Sequence, residues 1–230
     1  MSKALKALRV PALFALMASA GLAQAVNLVT NGSFENLRAG SAVIAPASNS
    51  FVSLKTFDSS FDAMDGWEVS FDTLAWIGTP LILPSGNLTS QDGNRFLDLT
   101  DTSLANPYGG LKTTVNTVIG TTYELSYWLG TDGFFNSTTG GVAAVVDIAG
   151  ISLGSSTTQS FAPNSWQQFT RTFVATGLTT QIVILGSVGS DYIGLDNVSV
   201  SVVPEPMGIA LALAGIGIVG VGMGKRRAIS

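Results

Sequence analysis

Tyr123-Glu-Leu-Ser-Tyr127-Trp-Leu129 alternates between two faces, with Tyr123, Leu125, Tyr127 and Leu129 on one of them. A period-two pattern of this kind predicts a half-buried β-strand, and Trp128 then points to the face opposite Tyr127. Working outward, Trp166-Gln-Gln-Phe169-Thr-Arg-Thr-Phe173 places Phe169, Arg171 and Phe173 on one face. Residues 180–185 and 142–148 are largely continuous apolar runs suited to strands in a sandwich core. No stretch of the central region holds a 3.6-residue apolar period over three turns. Ser85-Gly-Asn87, Asp92-Gly-Asn94, Asn106-Pro-Tyr-Gly-Gly110 and Pro163-Asn-Ser165 punctuate the strands as turns. These patterns give an all-β fold class, a two-sheet antiparallel β-sandwich.

The last strand carries a phase break. Ile193 and Leu195 occupy odd positions, whereas Val198, Val200 and Val202 occupy even ones. The register flips at Asp196-Asn197, as a β-bulge or a ligand-held polar pair would make it do.

Composition excludes several chemistries. The 230 residues include no Cys and no His, and 11% are charged, against roughly 25% in ordinary soluble domains. No imidazole proton shuttle, thiolate nucleophile, disulfide framework or Cys-built zinc site is available. Of the 11 basic residues, six lie in the first nine and last six positions, and all 15 acids fall between Glu35 and Glu205. The net charge of −4 is therefore +6 from the ends and −10 from the middle. Such a middle has no electrostatic footprint for nucleic acid.

The two ends read as addresses. Lys3, Lys6 and Arg9 precede an apolar run over residues 10–22 and then Ala23-Gln-Ala25. These are the three parts of a secretory signal peptide over residues 1–25, with Ala23 and Ala25 marking cleavage and the secretion translocon as the implied partner. At the other end Pro204-Glu205-Pro206 precedes residues 207–224, which carry no charge, and then Lys225-Arg226-Arg227. Eighteen residues at about 1.5 Å each cover about 27 Å, enough for a transmembrane helix. The basic cluster over residues 225–227 is expected to stay cytoplasmic, leaving residues 26–202 outside that membrane.

This tripartite tail over residues 203–230 resembles the PEP-CTERM sorting signal of exported bacterial proteins. The resemblance implies an exosortase as partner, with cleavage near Pro204-Glu205-Pro206. It also implies an inner-membrane anchored precursor. The final location would be the cell surface, outer membrane or extracellular matrix of a Gram-negative bacterium that makes exopolysaccharide.

A second resemblance spans residues 26–202. Asn27-Leu-Val-Thr-Asn31-Gly-Ser-Phe-Glu35, Gly66-Trp67, Asp92-Gly-Asn-Arg-Phe-Leu-Asp-Leu99, Gly109-Gly-Leu111, Gly120-Thr-Thr-Tyr-Glu-Leu125, Trp166 and Leu195-Asp-Asn-Val198 occur in that order. The set is similar to galactose-binding-like jelly rolls, which include several carbohydrate-binding modules. It implies a two-sheet jelly roll and contact with glycans. The same resemblance implies a structural calcium, with carboxylates from Glu35 and Asp196, a donor chemistry that suits this ion.

Sugar sites need aromatic rings with amides or carboxylates beside them. Trp67, Trp76, Tyr127 and Trp166 are expected mostly in the core. Tyr108, Trp128, Phe134, Phe135 and Asn136 are the candidate ligand contacts. The acidic run Asp58, Asp62, Asp65, Glu68 and Asp72 holds enough carboxylates for a glycosidase but no spacing that fixes a pair. The expected function is a non-enzymatic, surface-sorted protein that associates with extracellular polysaccharide. The alternatives are an exported glycan-active hydrolase using paired carboxylates, and a purely structural or adhesive surface protein.

Overall fold

The computed structural model describes residues 26–83, 86–100, 108–131, 142–158, 164–188 and 192–204. The strands among them are β1 (Ser50–Lys55), β2 (Glu68–Phe71), β3 (Thr73–Gly78), β4 (Leu81–Leu83), β5 (Gly86–Leu88), β6 (Arg95–Asp98) and β7 (Gly110–Asn116). They continue with β8 (Thr122–Thr131), β9 (Ala143–Ile148), β10 (Ile151–Thr157), β11 (Ser165–Val174), β12 (Thr179–Val188) and β13 (Gly194–Val202). One sheet has six strands in the order β1-β3-β6-β13-β8-β11, and the other has five in the order β10-β9-β12-β7-β2. Every neighbouring pair in both sheets is antiparallel. Strands β4 and β5 form a separate hairpin.

The alternation in β8 is realised as expected. Tyr123, Leu125, Tyr127 and Leu129 are all buried between the sheets, in one core with Val146, Ile182 and Ile184 of the second sheet. The pairing of β8 with β11 sets Tyr123 opposite Phe173 and Tyr127 opposite Phe169. Both pairs stack, with ring centroids 5.5 and 6.0 Å apart. Cross-strand aromatic pairs of this kind stabilise a sheet beyond the area they bury. Arg171 shares their inward face, yet it sits at the open margin where β11 and β10 are the edge strands. Its guanidinium donates to Ser156 Oγ at 2.6 Å and to the Ser155 carbonyl at 3.2 Å. Ser156 Oγ also meets Tyr127 Oη at 2.7 Å, so one polar cluster closes this margin. Burial pushes the Tyr127 hydroxyl pKa up, and the Ser156 bond and the Arg171 charge oppose it.

A second, smaller cluster lies on the outer side of the six-stranded sheet. Ala75, Ile77 and Phe96 point away from the main core and meet Leu81 and Leu88 of the β4–β5 hairpin. Trp166 packs here as well, edge-on to Phe96 with centroids 5.7 Å apart. This differs from the expectation that Trp166 belongs to the main core. It is turned outward because β11 alternates and Phe169 and Phe173 already face in.

Strands β6, β8, β10 and β12 end, and β7, β9, β11 and β13 begin, at one end of the sandwich. Register fixes this: Gly194 pairs with both Asp98 and Gly130, Ser165 pairs with Thr131, and Ala143 pairs with both Thr157 and Val188. The opposite end carries the turns over residues 117–121, 149–150 and 175–178.

The N-terminal segment runs beside β13, with Leu28 N donating to the Val200 carbonyl at 2.8 Å and Val198 N to the Gly32 carbonyl at 2.9 Å. A Cβ at Gly32 would stand 1.9 Å from the Val198 carbonyl oxygen. Gly32→Ala must therefore push the segment off the strand. We expect it to cost at least about 2 kcal/mol, read as a lowered midpoint in urea unfolding. A variant as stable as the parent would show that this contact tolerates displacement.

Candidate functional site

The break in β13 is a bulge. Register with β8 shifts between Asp196 and Ser199, and Asn197 adopts a positive φ of 48°. This left-handed conformation is one that Asn tolerates better than most residues. Leu195 faces the core, so Asp196 points to the outer side of the six-stranded sheet, where it is nonetheless fully buried. The extra residue at Asn197 then lets Val198 face the core again. Asp196 Oδ2 accepts N–H bonds from Gln91 at 2.8 Å and Asp92 at 2.9 Å, and its Oδ1 accepts one from Asn197 at 2.7 Å. Burial raises the Asp196 pKa to about 7; the three backbone donors oppose that rise, and the neighbouring Asp92 charge adds to it.

Glu35 holds the other side of the same loop. Its Oε1 accepts from Asn94 N and Arg95 N, both at 2.7 Å, and its Oε2 takes the Arg95 guanidinium at 3.0 Å. Arg95 also donates to the Glu35 and Pro46 carbonyls at 3.1 and 3.2 Å and lies 5.8 Å from the Trp76 ring centroid. Glu35 and Asp196, expected to share a calcium ion, thus share a loop. Their oxygens face N–H donors, whereas a calcium cage needs six to eight oxygen ligands offering lone pairs. Among the described residues no group of three or more acidic side chains is placed to hold a metal ion. The two carboxylates as arranged do not fit the ion.

Trp128 occupies the outer face of β8, half-buried, opposite Asp196 on one side and Gln168 on the other. Trp67, Trp76 and Trp166 each donate their indole N–H to a backbone carbonyl, of Thr30 and Asn31, of Phe34, and of Thr89 respectively. Among the described residues Trp128 has no such acceptor. Gln168, paired with it, donates its Nε2 to Ser126 Oγ at 2.7 Å, and Asn197, next to the paired Asp196, donates its Nδ2 to Gln91 Oε1 at 2.7 Å. Trp166 lies across Gly130, where a Cβ would come within 2.6 Å of its ring. Gly130 and Trp128 point to the same side of β8, so the second indole extends the aromatic strip along this face. Sequence reasoning missed Trp166 here, and the signal was available in its place two residues before Gln168 on an alternating strand.

The other candidate contacts fall elsewhere. Tyr108 is half-buried, packs against the main core and bridges to Thr100 through its backbone. Pro204 is exposed. Ala23, Ala25, Phe134, Phe135, Asn136, Glu205, Pro206, Lys225, Arg226 and Arg227 lie outside the described residues. Much of the acidic run is tied up in internal bonds. Asp58 caps Ser60 through its backbone N–H and hydroxyl, which lowers the carboxyl pKa. Asp62 pairs with Arg38, and Glu68 pairs with Lys112 at 3.0 Å. The two ion pairs line a polar cleft of about 350 Å³ beside Thr114 and Gln181, with no exposed ring among its lining residues.

No family model matches this chain, and no curated protein matches it. Similar solved structures include TmCBM61 in complex with beta-1,4-galactotriose, at 12% identity and a TM-score of 0.45, covering 78% of this chain and 100% of that one. A family 16 carbohydrate binding module-2 has 15% identity and a TM-score of 0.43, covering 76% and 99%. Arabinose-bound MgGH51 a-L-arabinofuranosidase has 16% identity and a TM-score of 0.43, covering 76% of this chain and 26% of that one. Scores this low carry no functional weight.

Two outcomes are expected. The folded Asp196 pKa lies above its ordinary value, so between about pH 4 and about pH 7 the folded protein holds a proton that the unfolded chain has lost. Its stabilising effect is complete below about pH 4 and is lost as pH rises through about 7. Melting temperature should therefore fall between about pH 5 and about pH 8, and fall less over that interval in Asp196→Asn. Equal slopes for the two proteins would remove Asp196 as the cause. In addition, stripping with EDTA and adding millimolar calcium should leave the melting temperature unchanged. A calcium-dependent rise would mean that these carboxylates rearrange around the ion.

Proposed function

We propose that the chain is an exported, surface-sorted protein that binds extracellular polysaccharide on the outer face of its six-stranded sheet and does no chemistry on it. One observation carries this reading: among the described residues Trp128 is the one indole of the four left with a free N–H, and it stands between Gln168 on β11 and Asp196 on β13, with Ser126 two residues away on its own face. A ring of this kind stacks on the apolar face of a sugar while amides and hydroxyls bond its hydroxyl groups.

The tail supports the remaining part of the reading. Residues 203–230 act as a sorting signal, with an exosortase cutting near Pro204-Glu205-Pro206 after the translocon has exported the chain. Residues 207–224 hold the precursor in the inner membrane, and the product stays at the surface or in the matrix. An exosortase gene together with polysaccharide-export genes should be present in the source genome, and their absence would overturn the sorting part.

Affinity electrophoresis through the producing organism's own exopolysaccharide tests the binding face. Trp128→Ala should weaken retention by about thirty-fold in Kd, the equivalent of about 2 kcal/mol. Its melting temperature should stay near that of the parent, because the ring faces outward. Undiminished retention would move the site elsewhere. A rise in reducing ends on incubation would favour the hydrolase in its place.

A further inference from the structure

The end of the sandwich that carries the 117–121, 149–150 and 175–178 turns is apolar where it meets solvent. These turns contain no charged residue. Val118 is 63% exposed, Ile119 62%, Leu178 74% and Val174 57%. These side chains belong to one continuous surface. Thr117 N donates to the Leu178 carbonyl at 2.9 Å, and Gly120 N to the Ala175 carbonyl at 2.8 Å, so the two turns are tied together. Val118 N is fixed by Tyr123 Oη at 2.9 Å, which holds the tip in a defined conformation. Ile151, also exposed, adds to the patch from the β9–β10 turn. Among the described residues, Asp147 in the neighbouring strand β9 has its Oδ1 engaged by the Gly150 N–H at 2.7 Å.

Strand β13 leaves the domain at this same place. Val202 pairs with Tyr123, and Val203 N donates to the Thr122 carbonyl at 2.9 Å. Only three residues in sequence separate Val203 from the uncharged run over residues 207–224. A spacer of three residues spans at most about 11 Å when fully extended. A membrane that holds residues 207–224 therefore lies within reach of Ile119 and Leu178.

We propose that this end is a lipid-docking surface. The apolar tips of the 117–121 and 175–178 turns enter the interfacial region of the bilayer that anchors the chain, standing the sandwich upright with its Gly130 and Gly194 end facing away. The partner is the lipid surface itself, engaged through apolar insertion, since the turns offer no charge to headgroups. The inference rests on reading residues 207–224 as a membrane span.

The chain has no cysteine, so single cysteines introduced at positions 119, 178 and 57 can each carry an environment-sensitive fluorophore. Phe57 is exposed and lies just past β1, beside Asp72 at the other end of the molecule. The full chain is reconstituted into phosphatidylcholine vesicles whose acyl chains are brominated near the headgroup. Labels replacing Ile119 and Leu178 should be quenched at least two-fold relative to unbrominated vesicles, and the label replacing Phe57 should not. Alkaline carbonate extraction of the same vesicles reports separately on the anchor. Protein that resists extraction but shows no quenching at 119 or 178 overturns the docking surface and leaves the span intact. Protein released by carbonate removes the span and the inference with it. Resistance to extraction with label-to-label self-quenching at 119, in place of bromine quenching, would assign the patch to a second copy of the chain and overturn the lipid assignment. Ile119→Ser and Leu178→Ser should keep the parent melting temperature, so loss of quenching at the remaining labelled site would not be a folding defect.

Discussion

Residues 91–95 are gripped from two directions by carboxylates that come from opposite ends of the chain. Asp196 takes the N–H groups of Gln91 and Asp92, and Glu35 takes those of Asn94 and Arg95. Much of the structure depends on this double grip. It sets where β6 begins, and it keeps the N-terminal segment against β13. It also places Arg95 over Trp76, the bulkiest ring of the inter-sheet core together with Trp67. Burying a carboxylate is costly unless its lone pairs are used, and here backbone donors use them. The bulge in β13 is the geometric device that keeps both Asp196 and Asn197 out of the apolar core and close to those donors.

The same device positions the proposed binding face. With the bulge, Asp196 stands opposite Trp128, and Asn197 reaches Gln91. The polar neighbours of the tryptophan on β13 therefore belong to the grip and are not added to it. The outer side of this sheet is also divided in two. The β4–β5 hairpin covers the part over β3 and β6, while Trp128 stands half-buried on the part over β8 and β11.

The alternation of β8 and β11 is legible in the sequence because side chains on a strand can only point two ways. The flip at Asp196-Asn197 is legible for the same reason. The partners of Asp196 are not, since Gln91 and Asp92 lie more than a hundred residues away and backbone N–H groups leave no mark in a sequence. Glu35 and Asp196 stand out together in the sequence, and the structure sets both on one loop. The chemistry that joins them there is a row of N–H donors where an ion is expected. Trp166 reads as a core residue because an aromatic at a strand start usually packs inward. Gly130 across the pair supplies the space that lets it lie outside.

The proposed binding face lies on the flank of the sandwich and not at its tip. Were molecules to stand on one surface by the 117–121 end, Trp128 would face sideways in each of them, at similar heights. A polymer threading between them would be shared, and its retention would depend on how densely the protein is packed per unit area. Weak single contacts then become a collective hold through effective concentration.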